Sequence, residues 1–277
     1  MAKENSQTPD MDILRQNIDR VDTALLELIA ERMELAQAVR RAKSGVDIWR
    51  PSREESHVRH LAHKAGDISP ELVSRIWAEL TSASLTLQGP IKLYIALIGD
   101  ELSGRTLVRD RFGASIPMQA YPTASAALAA AHNDPEGVAV VPAPGGMNTW
   151  WTALGPRGAM SDMNILAALP RTGAWDWPVA VAVSKAQCAP SGEDHTLLYV
   201  EHKSAGSALS RAQIFSRAKL SAHLRSDLET QCLYSIPEYI DEQDPRFKDI
   251  SRQFDVVKII GILPYPIVMP SAKNAND

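Results

Sequence analysis

The 277-residue sequence predicts a multi-domain chain: an all-α module of three helices that needs a partner copy, then an α/β region closing in a smaller α+β unit. Three observations predict this. Residues 12–43 run without Gly or Pro. Turn residues at Gly66, Ser69–Pro70 and Gly89–Pro90 then punctuate two shorter helical patterns. From residue 91 onward, β-branched runs alternate with short helical pieces.

The first run, Asp12 to Lys43, is filled mostly by Leu, Ala, Glu, Arg, Lys and Gln, all good helix formers. Leu14, Ile18, Val21, Leu25, Leu28, Ile29, Leu35 and Val39 make one apolar stripe at helical period. At the standard rise such a helix is about 48 Å long and needs a partner along most of its length. Arg15, Arg32 and Lys43 fall on or beside the stripe. Arg32 and Lys43 are eleven residues apart, close to three turns, so they point the same way. Two readings are open: cations snorkelling at the edge of a helical seam, or a site for a small anion with more than one negative group. Arg15 lies about 25 Å along the axis from Arg32. If both hold one small ligand, Arg15 comes from a second, antiparallel copy.

The net charge of -4 argues against a nucleic-acid partner, so these cations are local features. No apolar run reaches ~18 residues, so no membrane span is expected. The opening MAKENSQTPD is polar and reads as a frayed tail, neither a signal nor a transit peptide. Cys188 and Cys232 lie far apart without a CxxC pattern, which predicts free thiols in a reducing cytoplasm.

A second helix is expected over about Ser52–Lys64, with Pro51 at its start, and a third from Ser69–Pro70 to about Gln88. Three such helices bury little as a monomer. The second opens with Arg53 and Glu54 beside Arg50; the third ends with Ser84 and Gln88, four apart and so on one face. Taken singly, each has an ordinary reading as a solvated face, a cap or a helix-end hydrogen bond. His57, His60 and His63 wrap round the second helix instead of converging, so no metal site is expected there.

Residues 1–90 as a module resemble the all-helical (AroQ-type) chorismate mutase family, often fused to prephenate dehydratase. The matching pieces are LRQNID around Arg15, LLELIAERMELAQAV around Arg32, RAK ending at Lys43, REE from Arg53, and SASLTLQ with Ser84 and Gln88. The resemblance implies an intertwined helical homodimer that rearranges chorismate to prephenate, with no cofactor and no metal. It implies that Arg32 of one chain and Arg15 of the other grip the substrate carboxylates. Lys43 and Gln88 donate to the ether oxygen, Glu54 accepts from the ring hydroxyl, and Arg53 and Ser84 line the site. Such roles suit a pericyclic step, which needs a folded substrate and stabilised ether charge, not a nucleophile. One position departs: many members carry Asp three residues before Arg53, where this chain has Arg50.

Residues 91–193 resemble part of a prephenate dehydratase domain. The segment IALIGDELSGRTLVRDRFG matches its opening, but Ala143, Pro144 and Gly145 replace the Ile-Glu-Asn of the family's turn, and no Thr-Arg-Phe motif follows. Dehydratase activity is therefore not expected. Residues 194–277, in strand-helix-strand, helix-strand order, resemble an ACT domain, with DPRF and VVKIIGILPYP as the matching close. Its phenylalanine motifs differ: Gly206-Ser207-Ala208-Leu209 and Leu224-Arg225-Ser226-Asp227 stand where the family has Gly-Ala-Leu and Glu-Ser-Arg-Pro. The expectation is a cytoplasmic chorismate mutase of phenylalanine and tyrosine synthesis whose C-terminal region is regulatory or structural. Its rivals are a bifunctional mutase–dehydratase, a ligand-sensing dimer with a relict site, and a salicylate-type lyase on the same helical fold.

Overall fold

The computed structural model describes residues 10–42, 49–202 and 208–268. Its contacts separate two compact units, Met1–Gly45 and Val46–Asp277. In the first unit the described structure is one helix, α1 (Met11–Ala42). Its start is held by the Asp10 carboxylate, which accepts from the Asp12 N–H at 3.0 Å. The apolar stripe is exposed: Ile18 59 %, Leu25 50 %, Leu28 61 % and Leu35 60 %. A row of large apolar side chains this long on one helix marks an interaction surface.

The second unit opens with α2 (Pro51–Lys64) and α3 (Pro70–Gln88). Pro51 and Pro70 each sit in the first turn, where the missing N–H leaves no bond unmade. Ser69 caps α3 by accepting from the Leu72 N–H at 3.2 Å. There follow β1 (Lys92–Ile95), α4 (Glu101–Phe112), β2 (Met118–Ala120), α5 (Ala124–His132) and β3 (Gly137–Pro142). A 3-10 turn at Trp150–Leu154 leads to β4 (Asn164–Leu169) and β5 (Ala180–Ser184). The chain then makes β6 (Asp194–Glu201), α6 (Ala208–Arg217), β7 (His223–Leu228), β8 (Gln231–Ile236), α7 (Pro245–Ser251) and β9 (Val256–Pro264).

These strands form one nine-stranded sheet in the order β2-β1-β3-β5-β4-β9-β6-β8-β7. The strand pattern explains its two-sided core. Val141, Val181 and Val183 face a cluster with Leu128 and Trp151. The alternate residues Val138, Val140, Ala180 and Ala182 face the opposite cluster with Leu85, Val108 and Phe112. Such continuous apolar strands must be covered on both faces. α4 and β7 were not legible in the sequence. α4 buries little besides Val108, Arg111 and Phe112, and β7 carries charged side chains on a half-exposed face.

The expected modules were 1–90, 91–193 and 194–277. The contacts divide the chain between Gly45 and Val46, and the sheet runs across residue 193. α3 lies against α4: at Gly113, with φ of 70°, a Cβ would stand 2.4 Å from Ser82 Oγ and 2.7 Å from the Ala78 carbonyl oxygen. The two halves of the sheet meet where Gly261 of β9 pairs in parallel with Ile165 of β4. There a Cβ would lie 2.5 Å from the Ile165 carbonyl oxygen. Gly261→Val is expected to push these strands apart and cost about 1–3 kcal/mol, measured as a lower midpoint of urea denaturation.

Candidate active site

The residues predicted to form a site lie on three helices. Arg15 is exposed near the start of α1 and pairs with Asp12 at 3.2 Å, an exposed contact that holds it weakly. Arg32 is half-buried on the same helix, and burial lowers its pKa. Seventeen residues of continuous helix separate the two, about 25 Å along the axis, so one α1 does not bring them together. Lys43 lies outside the described residues, as do residues 1–9 and Gly206-Ser207. Arg53 is exposed on α2, and Arg50 is exposed just before it. Ser84 is buried on α3 and donates to the Leu80 carbonyl at 2.7 Å. Gln88, the last residue of α3, is half-buried.

Glu54 has a setting that its sequence did not announce. Its Oε1 accepts from Arg111 Nη1 and from Arg171 Nη2, and its Oε2 accepts from Trp49 Nε1 at 3.0 Å. Arg111 comes from the last turn of α4 and Arg171 from the chain just after β4. Arg171 forks: its Nε donates to Glu55 Oε2 at 3.0 Å. Arg111 Nη2 stands 3.7 Å from the same Glu55 oxygen. One turn along α2, Arg59 reaches Glu55 at 3.7 Å, Glu193 at 2.8 Å and the Tyr265 carbonyl at 2.6 Å. The side chains of Arg111 and Arg171 are each 1 % exposed and that of Glu54 is 9 %. Burial by itself would raise the Glu54 carboxyl, but the guanidiniums of Arg111 and Arg171 and the Trp49 N–H hold it down at about 2.

Among the described residues, one trio could be taken for a metal site. His202, Asp227 and Cys232 offer ligand atoms within 4.8 Å of one another. The Arg211 guanidinium lies against them, bonded to Asp227 and 3.2 Å from His202 Nε2. The trio is thus already bonded to a cation, and burial pushes the Cys232 thiol up to about 12. The trio therefore reads as an ion-pair network inside the C-terminal part. A cavity of about 550 Å³ lies nearby, lined by Arg157, Tyr199, Glu201, His202 and Gln231. Its Glu201 carboxylate already accepts from Tyr199 and Arg157. Cys188 and Cys232 are both free. Among the described residues no helix is long and apolar enough to cross a membrane.

Comparison with known proteins assigns a class to the N-terminal segment. Residues 14–89 match the family model of type II chorismate mutase. The relatives found are bifunctional chorismate mutase/prephenate dehydratases. That of Pseudomonas aeruginosa is 36 % identical over 96 residues, which cover 32 % of this chain and 26 % of the relative. That of Stutzerimonas stutzeri is 31 % identical over 104 residues, covering 35 % and 28 %. The similarity thus spans only about a quarter of these relatives' length. Among solved structures, the prephenate dehydratase of Streptococcus mutans is 10 % identical with a TM-score of 0.46, over 62 % of this chain and 97 % of that one.

The sequence reading named Glu54 but missed Arg111, Arg171, Glu55, Arg59 and Trp49. The signal available was the Glu54-Glu55 doublet, two carboxylates on a helix whose Val58 and Ala62 face a core. Because the folded pKa of Glu54 lies below its ordinary 4.5, the unfolded chain binds the proton more readily. The stability it contributes is complete above its ordinary pKa and is lost as pH falls toward its folded value. Relative to wild type, Glu54→Gln is expected to lose about 3 kcal/mol at neutral pH. That difference should begin to shrink below about pH 4.5 and approach zero only at about pH 2, its folded value, read from urea denaturation at a series of pH values.

Proposed function

We propose that this chain is a cofactor-independent chorismate mutase, converting chorismate to prephenate in phenylalanine and tyrosine synthesis in the cytoplasm. The observation that carries this is the type II chorismate mutase match over residues 14–89, within which the polar set Arg15, Arg32, Lys43, Arg53, Glu54, Ser84 and Gln88 stands in the family's order. In this reading Arg32 and the Arg15 of a second copy bind the two carboxylates by forked hydrogen bonds. Lys43 and Gln88 donate to the ether oxygen as its charge develops. Glu54 accepts from the ring hydroxyl, and Arg53 and Ser84 orient the substrate. No step transfers a proton or needs a metal.

The second copy is supported by the exposed face of α1. Its exposed stripe requires a cover along most of a 32-residue helix, and an antiparallel copy brings Arg15 of one chain toward Arg32 of the other. An intertwined homodimer meets both demands. The C-terminal part is read as ACT-like. Its strand-helix-strand-strand-helix-strand order and the strand neighbours β9-β6-β8-β7 support a split βαβ arrangement, in a regulatory or structural role.

A second reading, a bifunctional mutase–dehydratase, is favoured by the relatives' names. Against it stand Ala143, Pro144 and Gly145 in place of the dehydratase turn. One assay separates the two. Purified chain is given chorismate, and both prephenate and phenylpyruvate are followed, with and without phenylalanine or tyrosine. Accumulation of prephenate alone supports the monofunctional reading, and phenylpyruvate overturns it in favour of the second. A rate altered by either amino acid gives the C-terminal part a ligand. Arg32→Ala and Lys43→Ala are expected to lower kcat/KM by about 100- to 1000-fold with the fold intact; near-normal turnover in either would sink the site assignment. Leu28→Asp, placing a charge in the stripe, is expected to shift the dimer toward monomer in sedimentation and to abolish turnover with it.

A further inference from the structure

We propose that Arg111 and Arg171, both outside the segment that matches the chorismate mutase family, are positioning residues for the rearrangement. They lock the Glu54 carboxylate so that one acceptor position on Oε2 remains for the substrate's ring hydroxyl. This rests on the reading of Glu54 given under the proposed function.

A carboxylate has about four acceptor positions, two on each oxygen. Oε1 of Glu54 takes Arg111 Nη1 and Arg171 Nη2, which fills it. Oε2 takes one donor, Trp49 Nε1 at 3.0 Å, which leaves one place. The carboxylate cannot turn to exchange its oxygens without breaking two charged hydrogen bonds to arginines that are themselves 1 % exposed. Arg171 adds the azimuth: it bridges Glu54 and Glu55, so the start of α2 is fixed in rotation about its own axis. A glutamate that must meet one hydroxyl gains most from being held in advance, because substrate binding then orders nothing.

The supply of positive charge exceeds what the two carboxylates use. Arg111 Nε and Nη2 and Arg171 Nη1 have no hydrogen-bond partner. The charged groups around Glu54 are Arg111 from α4, Arg171 from the segment after β4, and on its own helix Glu55 with Arg59 beyond it. Two cations bond Glu54 directly, while Arg59 is shared between Glu55 and Glu193, so Glu54 stays ionised. Each arginine opposes the tendency of burial to neutralise Glu54, and a protonated Glu54 is a poorer acceptor for a hydroxyl.

The experiment is steady-state chorismate turnover by the full chain over about pH 4.5 to 8.5, a range above the ordinary glutamate pKa. Wild type, Arg111→Met, Arg171→Met, Arg171→Lys and Arg32→Ala are compared, with circular dichroism as the check on folding. The rearrangement itself moves no proton, so a new acid limb reports a binding group. The Met variants are expected to raise KM by about 10-fold or more, the effect of a lost charge-assisted hydrogen bond, with smaller change in kcat. They are also expected to show an acid limb in kcat/KM that wild type lacks. Arg171→Lys should remove the limb while keeping part of the KM defect, since it restores charge without the fork; it carries the test if the Met variants do not fold. A loss by the same factor at every pH, or turnover equal to or above wild type, would overturn the positioning role. Turnover lost in Arg32→Ala but untouched in the arginine variants overturns this role alone. No turnover in wild type overturns the mutase reading and this role together.

Discussion

Five buried side chains, Glu54, Glu55, Arg59, Arg111 and Arg171, govern how α2 sits on the α/β part of the chain. Taking such charges out of water costs several kcal/mol each, and pairing returns that cost only when geometry is good. Here several arginine N–H groups remain without hydrogen bonds, so the network is a poor source of net stability. Its effect is on specificity. Glu54 and Glu55 are neighbours in a helix and point about 100° apart at the standard helical turn. Both find guanidinium partners because Arg171 forks between them and Arg111 stands against both. The apolar contacts of α2 are few, a small cluster of Val58, Ala62, Val73 and Ile267, so the ion network supplies most of the directional contacts at its start.

α1 poses the opposite problem. It is one long helix whose large side chains, Ile18, Leu25, Leu28 and Leu35 among them, face solvent in a single chain. Helix propensity stabilises such an element only marginally, and most helical stability comes from packing an apolar face. The cations on it obey the same geometry: two arginines separated by seventeen residues serve one small dianion only across copies. In the proposed dimer, cover for the stripe and completion of the site are one requirement, placed on the same second chain.

What the sequence made legible follows from which residues act locally. Pro51, Ser69, Pro70 and Gly89 mark helix ends by backbone chemistry within a turn, and α2 begins and α3 begins and ends there. The central strands were readable because burial on both faces leaves near-continuous runs of Val, Ala and Leu. α4 was not, because its buried face is short and includes an arginine. The ion network was illegible for the same reason. Arg111 in RDRF and Arg171 in LPRTG look like any surface arginines, and their burial comes from contacts made 57 and 117 residues away in the chain. Glu54 was found by resemblance, which supplied a role for it; its partners belong to this chain's own tertiary structure.

The segment that matches chorismate mutase, residues 14–89, is shared between the two compact units. α1 makes up most of the first, while α2 and α3 belong with the sheet. The α/β part packs directly on both shorter helices. It supplies the arginines that orient α2, the helix α4 against which α3 packs, and the core that buries Leu85 near the end of α3. Arg111 and Arg171 lie in the core of the domain and not on its exposed turns.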